Sequence, residues 1–89
     1  MSDEPVWLRA DVVLAIHNRQ LAEHGGPTGV RDAGLLESAL AAPVNRWRYE
    51  QARIPSLAAC YAFHIAGNHP FTDGNKRTAI RATELYLKA

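Results

Sequence analysis

The sequence predicts an all-α domain, a small helical bundle, on three observations. Apolar residues recur at helical spacing in four separate stretches. Between those stretches stand Gly25-Gly26, Pro43 and Pro70, the residue types that stop helices. No run alternates with period two, so no strand is expected. At 89 residues the chain has room for one domain, and a domain this small has little margin in its core.

The first helix is expected over residues 11–24, with Asp11 as N-cap and Val13, Ile16, His17, Gln20 and Leu21 along one side. Gly25-Gly26 supplies its C-terminal stop. A second helix begins after Asp32, carries Leu35, Leu36, Ala39 and Leu40, and is expected to end at Pro43. Residues 44–54 mix Arg46, Trp47, Arg48, Tyr49 and Arg53, and read as a loop or a short extended flap. Arg and aromatic residues are favoured at binding hot spots, so residues 46–49 are a candidate docking flap for a target protein. The bland alternative is a surface loop with Trp47 tucked onto the core. A third helix starts at Pro55, a good first-turn residue, and carries Leu57, Tyr61, His64 and Ile65. It stops near Asn68, because Pro70 disfavours helical geometry at His69. The fourth starts around Gly74 and runs through Ile80, Thr83 and Leu87. The chain stops at Ala89 directly after Leu85, Tyr86 and Leu87. A natural domain would cover that face, so either a fragment or a face covered by a partner or second copy is expected.

Composition narrows the function classes. With 47% hydrophobic and 21% charged residues and a formal charge of +1, nothing pulls the whole chain toward nucleic acid or an anionic membrane. RNA stacking by the 46–49 stretch is disfavoured on the same ground. The opening residues, with Asp3 and Glu4, have no apolar stretch of a secretory signal, and no run approaches the roughly 20 apolar residues of a membrane span. A cytoplasmic protein is therefore expected. Cys60, the single cysteine, has no CxxC partner and reads as a small buried hydrophobe. His17 and His24 lie seven apart without a third ligand at useful spacing, so no metal site is expected of them. His64 reads as a packed or solvent-facing residue.

The stretch that carries chemistry is HPFTDGNKR, residues 69–77. One helix ends, a turn follows, and a new helix starts, presenting free N–H groups and partial positive charge suited to an anion. Gly74 lets the backbone approach a phosphate, Asn75 adds side-chain donors, and Lys76 and Arg77 add charge. The GxxxxGK[ST] spacing of a Walker loop is absent. His69 can take a proton from an incoming hydroxyl, and Asp73 can hold Mg²⁺ against phosphate oxygens. Phe71 is the expected apolar anchor of the loop. A plain helix–helix connection with Asp73 as N-cap would use similar residues. Against it stand Lys76 and Arg77, cations in a first turn where they oppose the helix dipole.

HPFTDGNKRTA, residues 69–79, resembles the Fic/Doc motif HxFx(D/E)GN(G/K)R, and its lysine resembles the Doc (death-on-curing) branch. Residues 24–32, HGGPTGVRD, and 34–40, GLLESAL, are similar to the leader helices of Doc-type toxins. The resemblance implies a single catalytic domain over residues 1–89, short of the family's C-terminal helices. It implies His69 as the catalytic base, Asp73 with Mg²⁺, and Gly74, Asn75, Lys76 and Arg77 as the phosphate-binding set. Lys76 stands where Fic adenylyltransferases have a second glycine. In the Doc branch this change goes with a reversed nucleotide, so that the γ-phosphate of ATP is transferred to a threonine of elongation factor Tu and translation stops. The Fic pattern also carries an arginine three residues after Arg77. That position is Ile80, with Arg81 about 100° further around the helix, which argues against AMP transfer. AMP transfer of the Fic kind, and a silent fragment that binds an antitoxin or itself, are the alternatives. No [ST]xxxE[GN] inhibitory motif occurs: none of Glu4, Glu23, Glu37, Glu50 or Glu84 precedes Gly or Asn. The expected regulator is therefore an antitoxin in trans, with a homo-oligomer through the last helix as a further expected assembly.

Overall fold

The computed structural model describes residues 4–27 and 29–88; Asp3 of the acidic start and Ala89 at the chain's end lie outside the described residues. Four helices follow in order: α1 (Ala10–His24), α2 (Ala33–Glu50), α3 (Ile54–Asn68) and α4 (Asn75–Lys88). Among the described residues no strand forms, and a single antiparallel bridge joins Val30 to Phe71. The all-α bundle expected from the sequence is the observed architecture. No helix of the described residues is long and apolar enough to cross a membrane.

The central element is α3, which packs against both α2 and α4, while α1 lies chiefly on α4. Its inward residues Leu57, Ala58, Tyr61 and Ile65 are buried, and they meet Leu36 and Ala39 of α2 and Ala79, Ala82 and Tyr86 of α4. Tyr61 meets Tyr86 edge-to-face at 4.8 Å, an arrangement that the ring quadrupoles favour. The Tyr61 hydroxyl also accepts the backbone N–H of Leu8 at 3.0 Å, tying the residues before α1 to the core. The Tyr86 hydroxyl is buried without a hydrogen-bond partner.

The helix ends follow local chemistry in most places. Gly25 caps α1, donating to the Leu21 carbonyl at 2.7 Å with φ of 76°. Asp32 caps α2, its Oδ1 accepting from Gly34 N and Leu35 N. At the other end of α1 the expected N-cap is displaced. Arg9 occupies the cap position without a side-chain capping bond, and Asp11 sits in the first turn, paired with Arg9 at 3.0 Å. An acidic residue in the first turn favours the helix by its charge alone. Pro55 lies at the second position of α3, which begins one residue earlier than expected, at Ile54.

The largest departure is α2, which runs through Pro43 to Glu50. An interior proline forfeits one ladder bond and crowds the carbonyl four residues back, at a cost of roughly 3 kcal/mol. Burial offsets that cost: Pro43 is fully buried, and the helix beyond it seats Trp47 against the core. Trp47 also meets Trp7 edge-to-face at 5.9 Å, and Arg46 pairs with Glu50 one turn on at 3.6 Å. Arg46, Trp47, Arg48 and Tyr49 therefore form the last turns of a helix, not a loop or flap. The helix ends at Gln51 in a left-handed conformation. Of Leu85, Tyr86 and Leu87, Tyr86 is interior and the two leucines are open to solvent.

Burial raises the pKa of the Cys60 thiol, with Arg46 pulling the other way, so the thiol is neutral and unreactive near pH 7. Burial also raises the phenols of Tyr61 and Tyr86. The folded state thus holds protons that the unfolded chain releases. The stability these groups supply is complete below their ordinary values, 9.0 for the thiol and 10.0 for the phenols. It is lost as pH climbs through the raised folded values. Urea denaturation midpoints measured across alkaline pH are expected to fall from that point upward. One substitution should act with opposite signs at the two tyrosines. Tyr86→Phe removes an unpartnered buried hydroxyl and should stabilise by about 1 kcal/mol, whereas Tyr61→Phe orphans the Leu8 N–H and should destabilise by about 1–2 kcal/mol. Urea unfolding of the two variants measures both signs.

Candidate active site

Residues 69–74 connect α3 to α4, and side chains of α1 and α4 hold them. Phe71 is buried, its ring stacked on His17 of α1 at 3.8 Å with 7° between planes. The His17 Nε2 lies 2.8 Å from the Asp73 carbonyl. A carbonyl only accepts, so Nε2 carries the proton and donates. On the other side Asn75 closes a ring with the Phe71 backbone: Phe71 N donates to Oδ1 at 2.9 Å, and Nδ2 donates to Phe71 O at 3.0 Å.

The loop is also tied to the segment before α2. Arg31 N and Asp32 N both donate to Pro70 O, at 2.8 and 3.1 Å. The Arg31 guanidinium reaches the last carbonyls of α3, with Nε on His69 O at 2.8 Å and Nη2 on Asn68 O at 3.2 Å. A cation at a helix C-terminus satisfies orphan acceptors and complements the dipole. His69 itself takes a left-handed conformation, φ 51° and ψ 55°, which turns the chain out of α3.

A cleft of about 510 Å³ opens where this loop faces the C-terminal end of α1. His69, Asp73, Gly74, Asn75, Lys76 and Arg77 line it together with Gln20, Leu21, His24 and Gly25. Six of the residues singled out in the sequence thus converge on one cleft. The first ladder bond of α4 runs from Thr78 N to Gly74 O at 3.0 Å, so the N–H groups of residues 75–77 precede the helical ladder. Lys76 and Arg77 are exposed, and neither has an ion-pair partner among the described residues.

Two sequence expectations change at this point. The Asn75 side chain, read as a phosphate donor, has its amide group engaged with Phe71; what it leaves to the cleft is its backbone N–H. Gly74 is demanded by its φ of 77°, and a Cβ there would face His17 at 3.8 Å instead of a ligand. Gly26 has the closer constraint: a Cβ would lie 3.0 Å from Asp73 Oδ2, at a φ of 117°. The 46–49 stretch does not line the cleft.

Sequence reasoning missed three contributors. His17 is placed by its register on one side of the first helix with Val13 and Gln20, but its contact with the loop carries no signal in the sequence. Arg31 carried no signal beyond its place in the leader segment. Gly26 was read as a helix stop, without its proximity to Asp73. Among the described residues no group of three His, Cys, Asp or Glu side chains could hold a metal by itself.

The fold and this loop define a class. The chain belongs to the Fic/DOC family, whose sequence profile matches residues 7–87. Within it the chain sits on the Doc branch. It is 31% identical over 77 residues to the protein kinase Doc of Escherichia phage P1, an overlap of 85% of this chain and 61% of that protein. It is 42% identical over 66 residues to the toxin Doc of Mycolicibacterium smegmatis, an overlap of 71% of this chain and 50% of that one. The chain thus spans between half and three-fifths of the length of these relatives.

Asn75→Ala tests how the loop is held. It leaves the buried Phe71 N–H and C=O without partners, and should lower stability by about 1–3 kcal/mol in urea unfolding while leaving helix content unchanged by circular dichroism.

Proposed function

We propose that the chain is the catalytic part of a Doc-type toxin that moves the γ-phosphate of ATP onto a threonine hydroxyl of elongation factor Tu, arresting translation. The observation that carries this reading is one cleft holding His69, Asp73 and two unpartnered cations at the start of a helix. A helix N-terminus with added cations suits a phosphate chain, and phosphoryl transfer asks chiefly for positioning and charge neutralisation.

In this reading His69 is the general base. Its unprotonated ring nitrogen accepts the threonine proton as the hydroxyl oxygen bonds to the γ-phosphorus, and the bond to the β,γ-bridging oxygen breaks to release ADP. Lys76, Arg77 and the first-turn N–H groups of α4 hold the phosphate oxygens. Asp73 fits Mg²⁺. Its Oδ1 accepts from Gly74 N at 2.8 Å, while the missing Cβ of Gly26 leaves Oδ2 its room. A lone carboxylate is a normal protein share for Mg²⁺, which takes its remaining ligands from phosphates and water and supplies charge neutralisation. Ile80 is 54% exposed where the Fic pattern has its second arginine, and Arg81 lines a neighbouring groove, which favours phosphate transfer over AMP transfer.

An antitoxin acting in trans is the regulator this reading calls for, and the cytoplasm is where the target would be met. The open Leu85 and Leu87 give α4 an outer apolar face, through which a homo-oligomer is the proposed assembly. Incubation with elongation factor Tu, Mg²⁺ and ATP labelled at the α- or γ-phosphate tests the chemistry. Label should pass from γ alone, and His69→Ala should reduce the rate at least about 100-fold with MgATP affinity retained. Transfer from the α-phosphate would refute phosphate transfer in favour of AMP transfer, and transfer from neither would leave a binding role.

A further inference from the structure

Besides Thr78 of α4, three buried polar side chains stand around the loop, and two of them are committed to its backbone. His17 is bonded to Asp73 O, and Asn75 to Phe71. The third, Gln20, is 5% exposed and has no hydrogen bond among the described residues. It lies on α1 three residues beyond His17, and lines both the cleft and the groove that continues from it between α1 and α4. The fully enclosed unpartnered side-chain atoms belong to Thr78, Thr83 and Tyr86. The Gln20 carboxamide is not among them, so it keeps some contact with solvent, and Gln20 lines the cleft.

A carboxamide with no protein partner among the described residues, on a residue only 5% exposed, adds little to the folded state, and leucine at this position would pack at least as well. The amide is placed where it could serve a ligand: against the cleft whose other wall is the first turn of α4, with Lys76 and Arg77. We propose that Gln20 is a ligand-binding residue of this cleft, its Nε2 donating to an oxygen of the phosphate chain seated at the start of α4. This rests on the phosphate-site reading above and adds a residue outside the loop to it. The carboxamide contributes a donor without charge, so it binds phosphate oxygens without adding to the repulsion between Lys76 and Arg77. A glutamate at the same place would repel the anion.

The test compares the chain with Gln20→Leu, Gln20→Met and Gln20→Glu variants. Melting temperature is measured without ligand, and calorimetric affinity is measured for MgATP and for inorganic phosphate. Gln20→Leu or Gln20→Met should melt no lower than the parent chain and bind MgATP at least about tenfold more weakly, with Gln20→Glu weaker still. A merely structural glutamine would behave otherwise. If both apolar variants lose melting temperature and affinity together, or bind MgATP within twofold of the parent, the proposal is overturned. If the parent chain binds phosphate but not MgATP, and the apolar variants lose phosphate affinity tenfold, Gln20 keeps its role while the nucleotide reading fails. If the parent binds neither, both readings fall.

Discussion

Phe71 is held from two sides by polar groups of different helices, and the shape of the loop follows from that grip. The stack on His17 fixes its ring, and the paired bonds with Asn75 fix its backbone. A loop between helices ordinarily lies on the surface with its backbone solvated, because buried backbone polar groups need partners. Here the Phe71 backbone is buried, and the first residue of α4 supplies both its partners. The same residue that opens the helix therefore closes the loop, so the N–H groups of α4 and the residues 69–74 form one rigid unit. His17 extends that unit to α1 through Asp73 O. The cleft wall is consequently built by three elements whose relative positions are fixed by hydrogen bonds as well as by packing.

Arg31 shows the same economy at the other end of the loop. Its side chain neutralises the exposed carbonyls of α3 while its backbone N–H pairs with Pro70 O. Without such a partner, His69 would follow a helix end carrying partial negative charge with unsatisfied acceptors. The cation thus removes a field that would oppose an anion arriving in the cleft. One helix end is masked by Arg31 and the other, at α4, is left open with two further cations beside it. The electrostatic asymmetry between the two ends is what suits this connection to the anion proposed for it.

Periodicity and stop signals made the four helices legible, and the unusual cations at Lys76 and Arg77 marked the loop. What they could not convey was partner choice. Pro43 is a stop signal by local rules, and it is overruled because its ring is buried and the helix beyond it lays a partly buried Trp47 on the core, a tertiary gain that no window of sequence contains. The error at Pro43 then produced the flap, since residues 44–50 had to be loop once the helix was ended. Asn75 reads in the sequence as a donor to phosphate, and the structure engages its amide with the Phe71 backbone: donors in a motif look alike until the backbone that faces them is known. His17 and Arg31 lie 56 and 38 residues from their loop partners, beyond the reach of any local pattern.

Local irregularity alone does not identify a site in this molecule. Gln51 adopts the same left-handed region as His69, and it does nothing beyond ending α2 with a bond to Trp47 O. The difference lies in what accompanies each residue. Around Gln51 the cap bond accounts for the strained backbone. Around His69 the irregularities accumulate: a left-handed histidine, two cations in a first turn, a glycine clearing space for Asp73, and a buried amide without a partner. Each is unfavourable or idle by itself, and the histidine, the two cations, the amide and Asp73 all line one cleft. Sequences that otherwise agree with their fold depart from local preference at functional sites. An anion in the cleft would make use of the cations and the open helix end, and a hydroxyl beside it would make use of the histidine. That shared explanation is what the isolated cap at Gln51 lacks.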